Sequence, residues 1–173
     1  MRTGSNNRLL CNIFMMALSL LFTQAGAIAE THYVDINSSN PVAPYTSWAN
    51  AATSIQDAVD VSVPNDTVLV TNGVYSTGGA VTPGYTCNNR VVILNDIVLQ
   101  SVNGPDVTFI HGAEATGGGC GTDAVRGVYM SAGLLSGFTI TNGHTQTSGD
   151  YYYDSLGGEG TVIAPYQILG FRS

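Results

Sequence analysis

The side chains best suited to acid–base or metal chemistry are scarce in this 173-residue chain and stand apart from one another. The three histidines, His32, His111 and His144, form no spaced metal-ligand motif. The sequence also lacks a Gly-x-x-x-x-Gly-Lys phosphate loop, a Gly-x-Ser-x-Gly nucleophile turn, a His-Glu-x-x-His pair and a Cys-x-x-Cys pair. His111 and His144 each adjoin the end of a similar strand phrase, so we expect them on one edge of the fold. The motifs predict no catalytic residue, cofactor or metal.

The N-terminus carries the pattern of an export signal. Arg2 and Arg8 precede a nearly continuous apolar run over residues 9–22, and Ala27-Ile28-Ala29 supplies a small-x-small cleavage motif, with Ala25-Gly26-Ala27 as a second one. The alternative is a retained anchor, but the apolar centre is shorter than the roughly 20 residues that a span requires. We therefore predict a signal peptide over residues 1–29, no membrane span after cleavage, and a secreted or cell-surface protein.

Two cysteines, Cys87 and Cys120, remain once the signal peptide is removed. Disulfides persist in oxidising compartments, and an even count of cysteines in an exported chain is typical of a bridge. We predict a Cys87–Cys120 disulfide. The alternatives are two unpaired thiols, or thiols whose partners lie outside this sequence.

Composition restricts the partners. Only 10% of residues are charged, the chain has no Lys, and its formal net charge is -7. Proteins that bind nucleic acid or anionic membranes use clustered Lys and Arg, and no such cluster occurs here. The polar surface must instead consist of Thr, Ser, Asn and Gly, so we expect no nucleic-acid partner.

A short phrase recurs along the chain: a β-branched run that ends in a turn. It occurs at residues 67–73, 97–104 and 138–143, with a looser copy at 107–112. Each copy is too short to bury its own apolar face, so the copies must stack or pair to make a core. The Asn-Gly pairs that end the phrases favour either hairpins or the corners of a coil. Asn72-Gly73 is not followed by a long matching strand, which favours the coil.

The elements that must build this core are one helix and a series of strands. Thr53 and Gln56 match a capping box, and Ile55, Ala58 and Val59 follow at helical spacing, which predicts a helix over 55–61 with Asp57 and Asp60 exposed. Pro64-Asn65-Asp66 predicts a turn. The alternating and β-branched runs predict strands at residues 32–36, 67–71, 91–94, 97–102, 107–111, 125–130 and 134–141.

Several of these segments together resemble a known class. Residues 55–59, 66–68 and 73–75 read Ile-Gln-Asp-Ala-Val, Asp-Thr-Val and Gly-Val-Tyr, as do many secreted right-handed parallel β-helix proteins of the pectin-lyase-like class. Residues 99–106 and 135–140 also resemble envelope proteins with polymorphic outer-membrane-type repeats. The resemblance implies an all-β, right-handed parallel β-helix of about three coils with a short N-terminal capping helix. The cap and coils would occupy residues 30–144, and residues 145–173 an irregular or truncated tail, as in an N-terminal fragment.

The resemblance also defines the enzymatic alternative. Polysaccharide lyases on this fold hold Ca²⁺ with acidic side chains and use Arg or Lys to abstract a proton. This chain offers the residue types, but none in a motif that matches the family by position; they are Asp96, Asp106, Asp123, Arg90 and Arg126. A shared fold does not carry an active site with it.

Two functional classes follow from the sequence. The first is a non-catalytic exported β-helix that acts as a surface, adhesive or carbohydrate-contacting module, with glycans or cell-envelope proteins as partners. The second is the N-terminal part of a β-helix polysaccharide lyase or hydrolase. An antiparallel jelly-roll carbohydrate-binding domain is a third reading. Tyr151–Tyr153 form either a sugar-stacking platform, a weak cation site or a disordered tail, and Tyr75, Tyr85 and Tyr129 are expected to cover coil edges.

Overall fold

The computed structural model describes residues 28–149 and the backbone of two later segments, 162–164 and 168–169. Most of the predicted signal peptide and Tyr151–Tyr153 therefore lie outside the described residues. Within the described part, no helix has the length and apolar character needed to cross a membrane.

The described chain is mainly β. One 3-10 helix, Trp48–Asn50, and one α-helix, α1 (Ile55–Val61), interrupt a succession of short strands. In chain order these are β1 (Thr31–Val34), β2 (Thr67–Val70), β3 (Gly73–Tyr75), β4 (Ala80–Val81), β5 (Asn88–Ile93), β6 (Val98–Ser101), β7 (Thr108–His111), β8 (Val125–Met130), β9 (Leu134–Ser136), β10 (Phe138–Thr141), β11 (Val162–Ala164) and β12 (Ile168–Leu169).

The strands form three sheets that the chain visits in turn. Sheet A has the order β1-β2-β6-β9-β12, sheet B the order β11-β10-β7-β3, and sheet C the order β4-β5-β8. From β2 onward the chain passes from A to B to C, returns to A at β6, and returns again at β9. The two-residue strand β4 pairs antiparallel with β5. Strands of successive passages pair parallel, as in β1–β2–β6–β9, β3–β7–β10 and β5–β8. Successive copies of the phrase therefore lie side by side.

Parallel register aligns apolar side chains into a shared core. In sheet A, Val68, Leu99 and Leu135 are register partners, and all three are buried. Burial of such columns is the main favourable term in folding. Sheets B and C and the helix supply the other large members of the core: Tyr75, Ile110, Phe138, Val91, Ile93, Ile55 and Val59.

Helix α1 begins and ends where the apolar spacing predicts, at Ile55 and Val61. Ile55 and Val59 join the core, while Asp57 and Asp60 are exposed, as expected. The predicted capping box is wrong. Ser54 is the N-cap and makes no side-chain cap bond. Gln56 instead uses its side chain on strand β5, accepting from Val92 N at 2.7 Å, because the helix packs against sheet C and Gln56 is buried there.

The Asn-Gly pairs make corners between sheets. Asn72-Gly73 joins β2 in sheet A to β3 in sheet B, and Asn103-Gly104 lies on the corresponding connection between β6 and β7. The side chains of Asn103 and Asn72 are bonded across the two connections, Nδ2 to Oδ1, at 2.7 Å. Hairpins would pair the flanking strands antiparallel, so the antiparallel sandwich and jelly-roll readings are wrong for these strands.

Strand boundaries differ from the sequence prediction in several places. The strands β3 and β4 were not expected, and the predicted strand at 134–141 is divided into β9 and β10 at Gly137, where φ is 79°. That left-handed conformation favours glycine, and a Cβ there would lie 3.1 Å from the Ser101 side chain. Tyr75 is a core residue with 1% exposure, so its expected place at a coil edge is wrong.

Two strands lie in the segment 145–173 that the sequence predicts to be irregular. β11 pairs antiparallel with β10, and β12 pairs antiparallel with β9. Upstream of them, the buried Gln146 donates from Nε2 to the carbonyl of Thr86 at 2.7 Å and to that of Thr122 at 3.2 Å. The start of this segment is therefore fastened to the rest of the fold.

Candidate functional site

The acidic residues considered for a lyase site lie at separate corners. Asp96 precedes β6, Asp106 precedes β7, and Asp123 precedes β8; all three are exposed. The Thr116 hydroxyl and backbone N–H hydrogen-bond to Asp123 and lower the pKa of its carboxyl. Among the described residues no group of three or more His, Cys, Asp or Glu side chains is placed to hold a metal ion.

The two arginines considered as bases are structural donors. Arg90 and Arg126 are each only 8% exposed. Arg90 donates from Nε to His111 O at 2.7 Å and from Nη1 to Gly78 O at 2.5 Å, and Arg126 donates from Nη2 to Thr82 Oγ1 at 3.2 Å. Burial lowers the pKa of Arg90, but an arginine stays protonated in proteins. The residues considered for lyase chemistry are thus not brought together around an open site.

His111 and His144 follow neighbouring strands of sheet B. His111 pairs in register with Thr141, and His144 lies three residues beyond Thr141. The ring of His111 lies edge-on to Phe109, with centroids 6.4 Å apart. His144 Nε2 lies 3.8 Å from Oε1 of the exposed Glu114. The two histidines share an edge but contact different partners, and exposed ion pairs of this kind contribute little.

Cys87 and Cys120 flank the paired strands of sheet C. Cys87 is buried just before β5, and the half-buried Cys120 lies in the connection before β8. Gln146 contacts the carbonyls of Thr86 and Thr122, so the two segments that carry the cysteines come within reach of one side chain. The predicted disulfide stays a prediction.

We expect oxidation to join Cys87 and Cys120 in the exported protein. A bridge would close a loop of about 33 residues and stabilise the fold by about 3 to 4 kcal/mol under the chain-entropy model. Intact-mass analysis after alkylation, with and without reductant, measures this. Two alkylated thiols in freshly exported, unreduced protein would contradict the prediction.

A buried histidine–carboxylate contact fastens strand β1 to the turn before β2. His32 Nε2 lies 3.0 Å from Asp66 Oδ2, and His32 Nδ1 lies 2.7 Å from Pro44 O. Both ring nitrogens of His32 therefore have a hydrogen-bond partner. Asp66 also accepts from the backbone N–H groups of Glu30 and Val63, each at 2.8 Å. The sequence identified Asp66 only as a turn residue.

Hydrogen bonding controls the ionisation of Asp66. Burial by itself raises the pKa of this carboxyl, but the N–H groups of Glu30 and Val63, together with His32, outweigh that effect and hold the pKa below its ordinary value. The ionised Asp66 carboxylate is therefore a structural feature of the folded protein, and its partner His32 also contacts Pro44 at the start of the next loop.

That loop is fixed along the free edge of β1, the edge strand of sheet A. Tyr33 N donates to Tyr45 O at 2.7 Å, and Tyr33 O accepts from Ala52 N at 2.9 Å. Between these two attachment points lies Trp48, which is 43% exposed. Its ring meets the ring of Tyr33 edge-on, with centroids 4.5 Å apart and planes at 63°. Two aromatic rings are thus held in a defined geometry at the surface.

The Tyr33–Trp48 pair stands at one end of a flat strand surface, the outer face of sheet A. In β1, β2, β6 and β9 buried and less buried residues alternate, so the less buried ones share the side opposite the core. This outer face consists of Thr31, Tyr33, Thr67, Leu69, Val98, Gln100, Leu134 and Ser136. None of these side chains is charged.

The row of side chains that starts at Tyr33 changes from apolar at one end to polar at the other. Tyr33, Leu69, Gln100 and Ser136 are successive register partners across the four strands. Neighbouring strands lie about 4.8 Å apart, so this row extends about 14 Å. It offers an aromatic ring and an apolar side chain at one end, and an amide and a hydroxyl at the other. Such a row can contact a ligand that is apolar on one side and rich in hydroxyls at its edges.

A groove between helix α1 and strands β4 and β5 is a weaker candidate. It encloses about 200 Å³ and presents the exposed Val81 and Leu94. Its buried amide, that of Gln56, is already bonded to Val92 and Asp60. Its polar lining therefore serves the fold.

Sequence reasoning missed the outer face of sheet A as a site. The alternation in each strand was readable, but the register that aligns Tyr33 with Leu69 and Gln100 joins residues 36 and 67 positions apart. The contact between Tyr33 and Trp48 depends on the loop after β1. No family model, curated protein or solved structure matches this chain, so function is inferred from the residues of this face and their surroundings.

Proposed function

We propose that this protein is an exported, non-catalytic β-helix module that contacts carbohydrate through the outer face of sheet A. The observation that carries the proposal is the exposed Trp48, held edge-on to Tyr33 at the end of a flat, uncharged strand surface. Aromatic rings provide large contact area with a polar handle at Tyr and Trp. The flanking Thr, Gln and Ser side chains supply hydrogen-bonding groups for hydroxyls.

The proposed architecture is a right-handed parallel β-helix of about three coils. It is supported by the repeated passage from sheet A to B to C and by the parallel pairing between the strands of successive passages. Helix α1 lies against β1 and β2 of sheet A and against β5 of sheet C, all within the first passage through the three sheets, which supports a role as the N-terminal cap. The handedness is taken from the resemblance and from the strong right-handed preference of parallel crossovers.

The non-catalytic part of the proposal is supported by where the charged side chains lie. Arg90 and Arg126 are engaged in internal hydrogen bonds, and the acids Asp96, Asp106 and Asp123 sit at different corners. Acid–base catalysis requires the participating groups to converge on one substrate position. Export is supported by the N-terminal signal pattern of residues 1–29.

Replacing Trp48 with Ala should weaken polysaccharide binding by at least about tenfold, which corresponds to about 1.4 kcal/mol. Affinity electrophoresis through gels that contain a soluble polysaccharide measures this as lost retardation. Because Trp48 is 43% exposed, the variant should keep the wild-type circular dichroism spectrum. Val74→Ala is the matched control, since Val74 is 44% exposed but lies on sheet B. Equal retardation of the wild type and Trp48→Ala would contradict the proposed site.

A further inference from the structure

The charges around the outer face of sheet A have one sign. Glu30, Asp66 and Asp96 precede β1, β2 and β6, the strands that run parallel across this face. These residues are neighbours at the N-terminal ends of the three strands: Glu30 N donates to Asp66 Oδ1, and Asn65 N donates to Asp96 O. Glu30 and Asp96 are exposed, whereas Asp66 is 1% exposed and bonded to His32, so Glu30 and Asp96 supply the negative charge at this border. Asp35 follows the C-terminal end of β1, so carboxylates lie at both ends of the strands that form the face.

No exposed Lys or Arg in the described range offsets these carboxylates. Between residues 28 and 149 the chain has no Lys, and its two arginines, Arg90 and Arg126, are each 8% exposed and bonded inside the fold. Within the described residues, an anionic polymer that approaches the face therefore meets exposed carboxylates and no exposed Lys or Arg. Repulsion between like charges disfavours the binding of anionic partners. This repulsion extends over a Debye length of about 10 Å at 0.1 M salt.

Resting on the proposed function, we infer that the outer face of sheet A selects uncharged polysaccharides and rejects uronate-rich ones. The preferred ligand presents a flat C–H surface to Trp48, Tyr33 and Leu69 and hydroxyls to Gln100 and Ser136. An uncharged chain loses no charge solvation on docking against this half-apolar surface, whereas a carboxylate would have to be desolvated without a cationic partner. Selection thus comes from an uncharged face with an acidic border.

Two polymers with the same backbone and different charge test this inference. Hydroxyethyl cellulose is uncharged and carboxymethyl cellulose is anionic. Affinity electrophoresis of the exported protein in about 10 mM salt, where the Debye length is about 30 Å, should show at least about tenfold tighter binding to the uncharged polymer. EDTA in the buffer prevents divalent ions from bridging carboxylates. The difference in affinity between the two polymers should decrease as the salt concentration is raised, because salt screens the repulsion between the carboxylates of the protein and those of the anionic polymer.

A pair of charge variants separates the local effect from net charge. Gln100→Lys places a cation in the middle of the face, while Val74→Lys makes the same net change on sheet B. We expect Gln100→Lys to narrow the preference by at least about threefold and Val74→Lys to leave it near the wild-type value. Wild-type binding to carboxymethyl cellulose that equals or exceeds binding to hydroxyethyl cellulose would overturn the selectivity and leave the binding module standing. If Gln100→Lys and Val74→Lys change the preference for the uncharged polymer equally, the inferred selectivity of this face would also be overturned. Failure to bind either polymer would contradict the proposed function itself.

Discussion

Replacing Ile55 with Asp should lower the free energy of unfolding by about 5 kcal/mol, or prevent folding outright. Ile55 is 1% exposed and belongs to the core cluster beneath helix α1. The substitution removes a large apolar side chain and introduces a carboxylate that has no cation nearby in the core. Thermal or denaturant melting of the exported protein measures the loss.

Two further variants keep this prediction testable. Ile55→Ala removes the same apolar contacts without adding a charge, and we expect it to cost about 2 to 5 kcal/mol. Val61→Asp makes a comparable change in the last turn of the same helix, where the side chain is 36% exposed. It should cost less than about 1 kcal/mol. If Ile55→Asp melts as Val61→Asp does, helix α1 does not cover the core.

Replacing Asp66 with Ala should destabilise the fold by about 3 to 5 kcal/mol, because hydrogen bonds to a charged group contribute about 1.5 to 3 kcal/mol each and several are lost together. The variant leaves His32 Nε2 and the N–H groups of Glu30 and Val63 without the acceptor that they share. Because these contacts fasten β1 and the loop that carries Trp48, we also expect weaker polysaccharide binding. Chemical denaturation at neutral pH gives the stability change.

The same variant has a characteristic pH dependence. The folded-state pKa of Asp66 lies below its ordinary value of 3.8, so its ionisation stabilises the native state above that value and the contribution is lost as the pH falls through the lower, folded-state pKa. The stability difference between the wild type and Asp66→Ala should therefore shrink as the pH falls below about 4. Asp96→Ala, an exposed acid before β6, is the control and should change stability by less than about 0.5 kcal/mol. A difference that stays constant down to pH 2 would contradict the assigned role.

Local patterns identified much of the fold. Spacing of Ile55, Ala58 and Val59 gave the bounds of helix α1, and the β-branched runs located the strands that pair across the sheets. The prediction of a corner instead of a hairpin at Asn72-Gly73 was correct. The run of residues after this pair is too short to fold back and pair with β2. These features depend on residues close together in sequence, where propensity and periodicity act directly.

What the sequence left out depends on contacts between distant segments. Gln56 fits a capping box by its spacing, yet the backbone of Val92 on β5 competes successfully for its side chain. The short strands β3 and β4 carry weak local signals and are fixed by pairing with β7 and β5. Tyr75 was expected to cover a coil edge, but its register with Ile110 places it in the core.

The candidate site shows the same division. The residue types for lyase chemistry were visible in the sequence, but the fold separates Asp96, Asp106 and Asp123 and buries Arg90 and Arg126. The outer face of sheet A and the His32–Asp66 pair were not predicted, because each requires the register of β1 on β2. The sequence of one strand shows which residues alternate between its two faces. It does not show which other strand lies beside it, or in which register.

Counting polysaccharide reducing ends in the presence of the exported protein tests the proposed function most directly, since hydrolysis and lyase cleavage each create one new reducing end per bond broken. Wild-type protein is incubated with hydroxyethyl cellulose and with a uronate-rich polysaccharide, with Ca²⁺ present, at concentrations where affinity electrophoresis shows binding to the uncharged polymer. We predict that the number of reducing ends stays at the level of a protein-free sample throughout. A rise that is proportional to protein concentration and time would contradict the account of a module that binds polysaccharide without cleaving it.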